Sequence, residues 1–320
     1  MKMIRALAVC AAVMSCAAPA MAQNYPSHQI KIIVSTSAGG VTDLAARIVG
    51  QEISTKTGQN VVVENRPGGS GNIAMDALAK ADPDGYTLGV ANTGNIVINP
   101  FLFKNLTYDP LKDLLPVAEI GTVPLFLVVN PQIGVKTVQQ FVAYAKKNPD
   151  KFSYASAGAG TTPDLAAHDF ENRAGIKFVF VPFRGTTPAV EAVLGGHVQA
   201  TFISMGPHID LFRTGRLIVI GQATEKRVPY MADVPTFAEQ GYPGFEAGTW
   251  FSLFAPKGTP TAIVDKLNGI VRNLSPDLKK KLEANFVDLS DKTAVQFQAQ
   301  VKADAARWEK IVKETGVSMK

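Results

Sequence analysis

Apolar positions along this chain follow two alternating periods. Short runs rich in Val, Ile, Leu and Phe recur at 29–34, 60–63, 87–91, 125–129, 152–155, 177–181, 198–203, 217–220 and 251–255, bounded by turn-forming residues as strands are. Between them the spacing turns helical, at 41–54, 73–80, 138–147, 164–174, 189–194 and 209–212. In the first of these helices Val41, Leu44, Ala45, Ile48, Val49 and Ile53 form one stripe, which leaves Asp43, Arg47 and Glu52 to face water. Gly58, Gly175, Gly195 and Gly215 stand where helices would stop. Strand and helix in regular alternation predict parallel sheets covered by helices, a doubly wound α/β architecture. After Pro260 the pattern is mostly helical, at 263–273, 277–285 and 293–314. Such helices need a sheet to cover, and they are assigned to the first of two domains, a number suggested by the 320 residues.

The N-terminal stretch reads differently. Lys2 and Arg5 flank an apolar run too short to span a bilayer, and Ala20-Met21-Ala22 offers an A-x-A-like cleavage site, so residues 1–22 are expected to be a secretory signal peptide. Val13-Met14-Ser15-Cys16 loosely resembles a lipoprotein box, an alternative that would lipidate Cys16. Both cysteines, Cys10 and Cys16, fall in this leader, so the exported chain would have no disulfide, thiol nucleophile or cysteine metal site. The formal charge of +5 loses Lys2 and Arg5 with the leader, and the remaining basic residues are dispersed. The densest run, Lys279-Lys280-Lys281, sits on a polar helix face, which argues against nucleic acid as a partner.

Two segments echo each other: Ser37-Ala38-Gly39-Gly40-Val41-Thr42-Asp43-Leu44-Ala45-Ala46 and Ser156-Ala157-Gly158-Ala159-Gly160-Thr161-Thr162-Pro163-Asp164-Leu165-Ala166-Ala167. Each follows a strand-like run and opens a helical pattern. A helix start of that kind binds anions, because its first amides have no intrahelical partner and the aligned peptide dipoles place partial positive charge there. Three more glycine- or hydroxyl-rich loops also follow strands: 65–72, 92–95 and 183–188, the last with Thr187 and Pro188 as helix-starting residues. Ligands of open α/β sheets bind beyond the carboxyl ends of the strands, where these loops fall.

Some side chains there have two readings. Asp43 and Asp164 lie in first helical turns, with Arg47 and His168 four residues on; each either stabilises its helix start or meets a ligand ammonium. Arg184 either clamps a carboxylate or ties its own loop. Trp250 and Phe251 are expected in core or hinge packing.

Ordered motifs extend over nearly the whole chain beyond the leader. Tyr25-Pro26, Ile30-Lys31-Ile32-Ile33-Val34, Ala38-Gly39-Gly40 with Asp43, Val63-Glu64-Asn65-Arg66-Pro67-Gly68, Gly71-Asn72 and Asp82-Pro83-Asp84-Gly85-Tyr86 come first. Val181-Pro182-Phe183-Arg184-Gly185, Pro207-His208-Ile209, Asp233-Val234-Pro235-Thr236 and 244–260, from Gly244-Phe245-Glu246 to Gly258-Thr259-Pro260, follow. In this the chain resembles the Bug family, extracytoplasmic solute receptors of tripartite tricarboxylate transporters. The resemblance implies a type II periplasmic binding protein of two lobes, each a doubly wound sheet flanked by helices, closing on a small carboxylate in a central cleft. It also implies membrane transporter subunits as partners. The chain departs from the family in two places: Ser35-Thr36 stands where relatives often have Pro-Phe or Pro-Tyr, and Phe202-Ile203-Ser204-Met205 where they often place an aspartate.

The expectation is a monomeric periplasmic receptor, with lobe 1 at 23–123 and 245–320, lobe 2 at 124–244, and hinges near 121–124 and 245–250. Ser37, Gly39, Gly40 and Thr42 would meet one end of a small carboxylate, and Ser156, Gly158, Gly160, Thr161 and Gly185 the other. Gly71, Asn72, Thr93 and Ser204 would line the walls, with Asp43, Asp164 and Arg184 as further candidates. No cofactor or metal is expected. The sequence has no Walker A loop, no H-E-x-x-H and no S-x-x-K, and His28, His168, His197 and His208 are scattered. The alternatives are an exported enzyme acting on a small carboxylate, or a loaded sensor input for a signalling protein.

Overall fold

The computed structural model describes residues 25–148, 152–183 and 185–316; the leader with both cysteines, and Arg184, lie outside the described residues. The strands are β1 (Ile30–Val34), β2 (Val61–Asn65), β3 (Thr87–Asn92), β4 (Leu114–Pro124), β5 (Phe126–Val129), β6 (Ser153–Ser156), β7 (Val179–Pro182), β8 (Ala200–Ile203), β9 (Ile218–Gln222), β10 (Gly248–Pro256) and β11 (Asp288–Leu289). The α-helices are α1 (Val41–Thr57), α2 (Asn72–Ala79), α3 (Asn99–Leu102), α4 (Pro110–Asp113), α5 (Val138–Lys147), α6 (Thr162–Ala174), α7 (Thr186–Leu194), α8 (Ile209–Arg213), α9 (Thr261–Arg272), α10 (Pro276–Glu283) and α11 (Ala294–Thr315). A π-helical turn, Gly94–Ile98, leads into α3. Among the described residues no helix is long and apolar enough to cross a membrane.

The strands form two sheets, ordered β11-β4-β10-β3-β1-β2 and β7-β6-β8-β5-β9. Leaving out β11, each sheet runs second, first, third, a visiting strand, then fourth. The visitors are β10, which returns from the second half of the chain, and β5, which enters it. Both are antiparallel to their two neighbours, whereas β1 pairs in parallel with β2 and β3, and β6 with β7 and β8. The sheets are therefore mixed, not wholly parallel as the alternation suggested. A parallel neighbour needs a crossover helix, and a strand arriving from the other sheet is free of that requirement.

The two crossing segments run side by side. Gly248 pairs with Pro124 and Trp250 with Thr122, and beyond them Leu125 N donates to Ala247 O at 3.0 Å. The ladder carries on into the second sheet, where Ala247 N donates to Ala223 O and Ala223 N to Leu125 O, each at 2.9 Å. Gly248 has to be glycine here, since a Cβ would stand 2.9 Å from Thr122 Cγ2 and 3.0 Å from Val123 O.

β4, the longest strand, escapes the hydrophobic pattern because Pro116 and Gly121 interrupt it. Gly121 is where β11 closes in: a Cβ would lie 2.5 Å from Asp288 O. The C-terminal helices do cover the first sheet, α9 and α11 lying on β4. α9 and α10 also cover the second flank of α1, so Glu52, expected in water, is 1% exposed with Lys56 Nζ at 3.7 Å. Asp43 is buried as well.

The second sheet owes its core to aromatic rings. Phe170 on α6 meets Phe141, Phe202, Phe237, Tyr242 and Phe245, at centroid separations between 5.1 and 6.4 Å. Offset and edge-on rings at such distances attract beyond their buried area. Phe170→Ala is expected to cost about 3–5 kcal/mol in urea unfolding, the range for a buried Phe truncated to leave a cavity. A loss below 1 kcal/mol would contradict this account of the core.

Candidate ligand-binding site

The echoed loops are built alike. Gly39 N donates to Asp43 Oδ2 at 3.0 Å, and Gly160 N to Asp164 Oδ2 at 2.9 Å, so in both loops the fifth residue clasps the first. The other carboxylate oxygen in each case anchors the loop to its sheet. Asp43 Oδ1 accepts from Asn65 Nδ2 at 2.9 Å, at the end of β2, and Asp164 Oδ1 from Ser156 Oγ at 2.6 Å, at the end of β6. Arg47 completes the first clasp, its Nε 3.0 Å from Asp43 Oδ2. His168 does not complete the second. Its ring stacks on Phe180 and its Nδ1 lies 3.1 Å from Glu171 Oε2.

Burial opposes ionisation of Asp43, but the bonds from Arg47, the Gly39 amide and Asn65 outweigh it and hold its carboxyl below the ordinary range. Both aspartates thus spend their acceptors on their own loops. The clasps use the Gly39 and Gly160 amides and leave the first helical amides of α1 without intrahelical partners, as they do those of Thr162 and Asp164 in α6, where Pro163 has none to offer.

A cleft of about 540 Å³ lies between the two sheets' loops. One side is formed by Ser35, Thr36 and Ser37 after β1, by 67–71, by the segment from Asn92 to Phe103 and by Thr249; the other is Ala159 to Pro163. Ser37, Gly71, Gly160 and Thr161 of the expected residues line it. Ser156, Gly158 and Asp164 stand behind as loop scaffold: Ser156 Oγ also takes the Gly158 amide at 3.2 Å, and Gly158 O accepts from Thr161 Oγ1 at 2.8 Å. Gly39, Gly40, Thr42 and Asp43, expected to meet the ligand, do not line the cleft: Gly40 is the N-cap of α1, and Thr42 and Asp43 are buried in its first turn.

Others lie elsewhere. Asn72 faces a neighbouring hollow, where its Oδ1 accepts from Asn99 Nδ2 at 2.7 Å and Tyr108 Oη at 3.2 Å. Thr93 faces a separate cavity behind the crossing strands, because its hydroxyl takes the Trp250 amide at 2.9 Å. Gly185 caps α7, and Ser204 follows β8; neither lines the cleft.

The polar floor of the cleft was missing from the expected set. Asn95 Oδ1 accepts from Ser35 Oγ at 2.6 Å, and its Nδ2 donates to Ser70 O at 2.7 Å; Asn99 Nδ2 reaches the same carbonyl at 3.0 Å. Its sequence signal was a polar stripe, Asn92, Asn95 and Asn99, around Ile96, Val97 and Ile98. A π-turn at that position is a frequent mark of functional sites. None of the described residues lining the cleft has a charged side chain; Leu102, Phe103, Pro67 and Pro163 supply its apolar surface.

Gly71 fits only as glycine. Its φ is +88°, and a Cβ would collide with the Asn95 amide and stand 3.0 Å from Ser35 Cβ. Gly71→Ala is expected to lower stability by about 1–3 kcal/mol, measured by denaturant unfolding. Asp43→Asn is expected to cost about 1–3 kcal/mol at pH 7, since charge-assisted bonds to a buried group are lost. Because the folded carboxyl ionises below the unfolded value near 4, that contribution is complete above pH 4 and fades as the pH falls through the folded value. The stability gap between variant and parent should therefore narrow in acid; a constant gap would show that the charge is irrelevant.

Comparison with known proteins identifies the family and the fold. The family model described as "Tripartite tricarboxylate transporter family receptor" matches residues 45–317. Protein BugT of Bordetella pertussis is 34% identical, with all of both chains covered. The structure described as R. palustris Rpa4515 with adipate is 33% identical with a TM-score of 0.74, covering 92% of this chain and 99% of that one. MatC from Rhodopseudomonas palustris with bound malate is 32% identical with a TM-score of 0.71, covering 90% and 100%. The chain belongs to the receptor family of the tripartite tricarboxylate transporters, and its two mixed sheets form the two-lobed fold of periplasmic binding proteins.

Proposed function

We propose that this receptor captures a small dicarboxylate between two lobes in the periplasm and presents it to the membrane subunits of its transporter. The observation that carries the reading is that two loops with the same aspartate clasp, one from each sheet, border one cleft without charged side chains among the described residues, the first through Ser37 and the second through Ala159 to Pro163. Each loop ends in a helix start, so each can hold one carboxylate group. Dipoles contribute about 0.3–1 kcal/mol each, whereas micromolar binding needs about 8 kcal/mol. Charge-assisted hydrogen bonds from amides and hydroxyls, and methylenes buried on Leu102 and Phe103 at about 0.8 kcal/mol each, supply the difference.

That requirement favours an acid with a short apolar middle over inorganic anions. It suits the adipate named in one related structure, and the malate of another is likewise a dicarboxylate, with a hydroxyl on its middle. An amino acid would need an acceptor for its ammonium, and both loop aspartates are occupied. The reading places lobe 1 at 23–123 and 245–320 and lobe 2 at 124–244, with the paired crossings as hinge; the separation of the two sheets supports it. Residues 1–22 would direct export. Ser37, Gly39, Gly40 and Thr42 then serve one carboxylate and Gly158, Gly160 and Thr161 the other, with Arg184 and Gly185 nearby in sequence.

Thermal-shift and calorimetric titration of the exported chain with C4 to C8 dicarboxylates tests this. At 100 times Kd the right acid adds about 2.7 kcal/mol of stability. Gly160→Ala, whose Cβ would press on Leu102 Cδ1 at 2.7 Å with φ at +76°, should weaken binding at least tenfold. Flat melting curves across the panel would refute the proposal.

A further inference from the structure

α6 and α11 meet along matched faces. α6 opens at the cleft and belongs to the second sheet; α11 covers the first. Leu165, Asp169 and Asn172 follow i, i+4, i+7 on α6, as Arg307, Ile311 and Glu314 do on α11, so each set shares one face. Leu165 is buried in the same cluster as Trp250 and Trp308, and at the far end Asn172 Nδ2 donates to Glu314 Oε2 at 3.1 Å. Asp169 lies between these ties on α6, and Arg307 stands one residue before Trp308 on α11; each carries one unfinished atom. Asp169 Oδ1 accepts from Arg173 Nε at 2.9 Å, while its Oδ2 is buried without a hydrogen-bond partner. The Arg307 guanidinium donates to Glu246 O and lies over the Trp308 ring, while its Nε is buried without a partner.

Asp169 Oδ2 lacks a donor and Arg307 Nε an acceptor, and both atoms are shut off from water, although each group has another partner. A charged group left so is costly, and each is what the other lacks. Burial and Arg173 disfavour the Arg307 charge, whereas Asp169, Asp304 and Glu246 support it.

We propose that Asp169 and Arg307 are a closure latch, forming the hydrogen-bonded ion pair that both lack here when a filled cleft draws α6 across α11. Asp169 lies seven residues beyond Thr162, about 10 Å along the helix axis, so a displacement of the helix start reaches it through a rigid rod. The pair does not touch the ligand; it positions the lobes. It rests on the cleft being the capture site.

The test compares the parent with Asp169→Asn, Arg307→Met and the double variant. Asp169→Asn keeps the shape and the acceptor used by Arg173; Arg307→Met keeps an apolar stem over Trp308. Adipate release is read by stopped-flow tryptophan fluorescence. Each single variant should release adipate about tenfold faster with an unchanged association rate, and the double variant no faster than either. Arg307→Lys stands in should the methionine variant not fold. Spin labels at exposed Lys147 and Lys310, without ligand, should show a minor short-distance population in the parent that Asp169→Asn removes. Unchanged release, additive effects or identical distance distributions would overturn the latch. Failure of every dicarboxylate to bind the parent would sink the capture reading, and the ligand-free distances alone would then judge the latch.

Discussion

A helix cannot satisfy its own first amides, and this constraint organises both halves of the molecule. An unpaired helix start is useful for anions only if it is held still and kept open. The aspartate clasps do both. Asp43 and Asp164 each reach back to a glycine amide and onto a strand end, Asn65 of the neighbouring β2 for Asp43 and Ser156 of the loop's own β6 for Asp164, fixing the loop with bonds that leave the helical amides free. A lysine placed there would bring charge but would also bring a flexible stem whose ordering costs entropy. A carboxylate turned inward fixes the backbone and leaves the anion to the peptide dipoles.

The same economy appears in the topology. Both sheets follow one strand order, and in each the visiting strand sits between the third and fourth. The cleft and the paired crossings are consequences of that single arrangement. Strand ends of both sheets carry their loops to the gap, while the segments that lead into the two visitors run beside each other at Pro124-Leu125 and Ala247-Gly248. Two adjacent strands joined by Leu125 and Ala247 can twist together, but they resist shearing apart because that would break their ladder.

Much of this was legible in the sequence, and the parts that were not share a physical reason. The loops announced themselves because glycine, hydroxyl and aspartate sit at fixed offsets along one segment. Local chemistry of that kind survives without knowledge of the fold. The antiparallel visitors, the burial of Glu52 and the identity of β4 depend on what arrives from far along the chain, as does the turn of Thr93 toward Trp250. The Asn95 network was half visible: the Asn92-Thr93-Gly94-Asn95 loop was recognised as polar, but only the approach of Ser35 and Ser70 decides which of its side chains faces the cleft.

Ser35 shows how such a cleft can be retuned. Two hydroxyl residues follow β1, and Ser35 is spent on Asn95 while Thr36 lines the opening. They add polar groups to the cleft without adding charge. A receptor has to release what it captures, and a buried ion pair between ligand and side chain would slow that release, since breaking it strands a charge in a dry site. Neutral donors on a fixed backbone avoid this. On the proposed reading, their affinity grows with the number of bonds made on closure, and opening gives each carboxylate back to water a few bonds at a time.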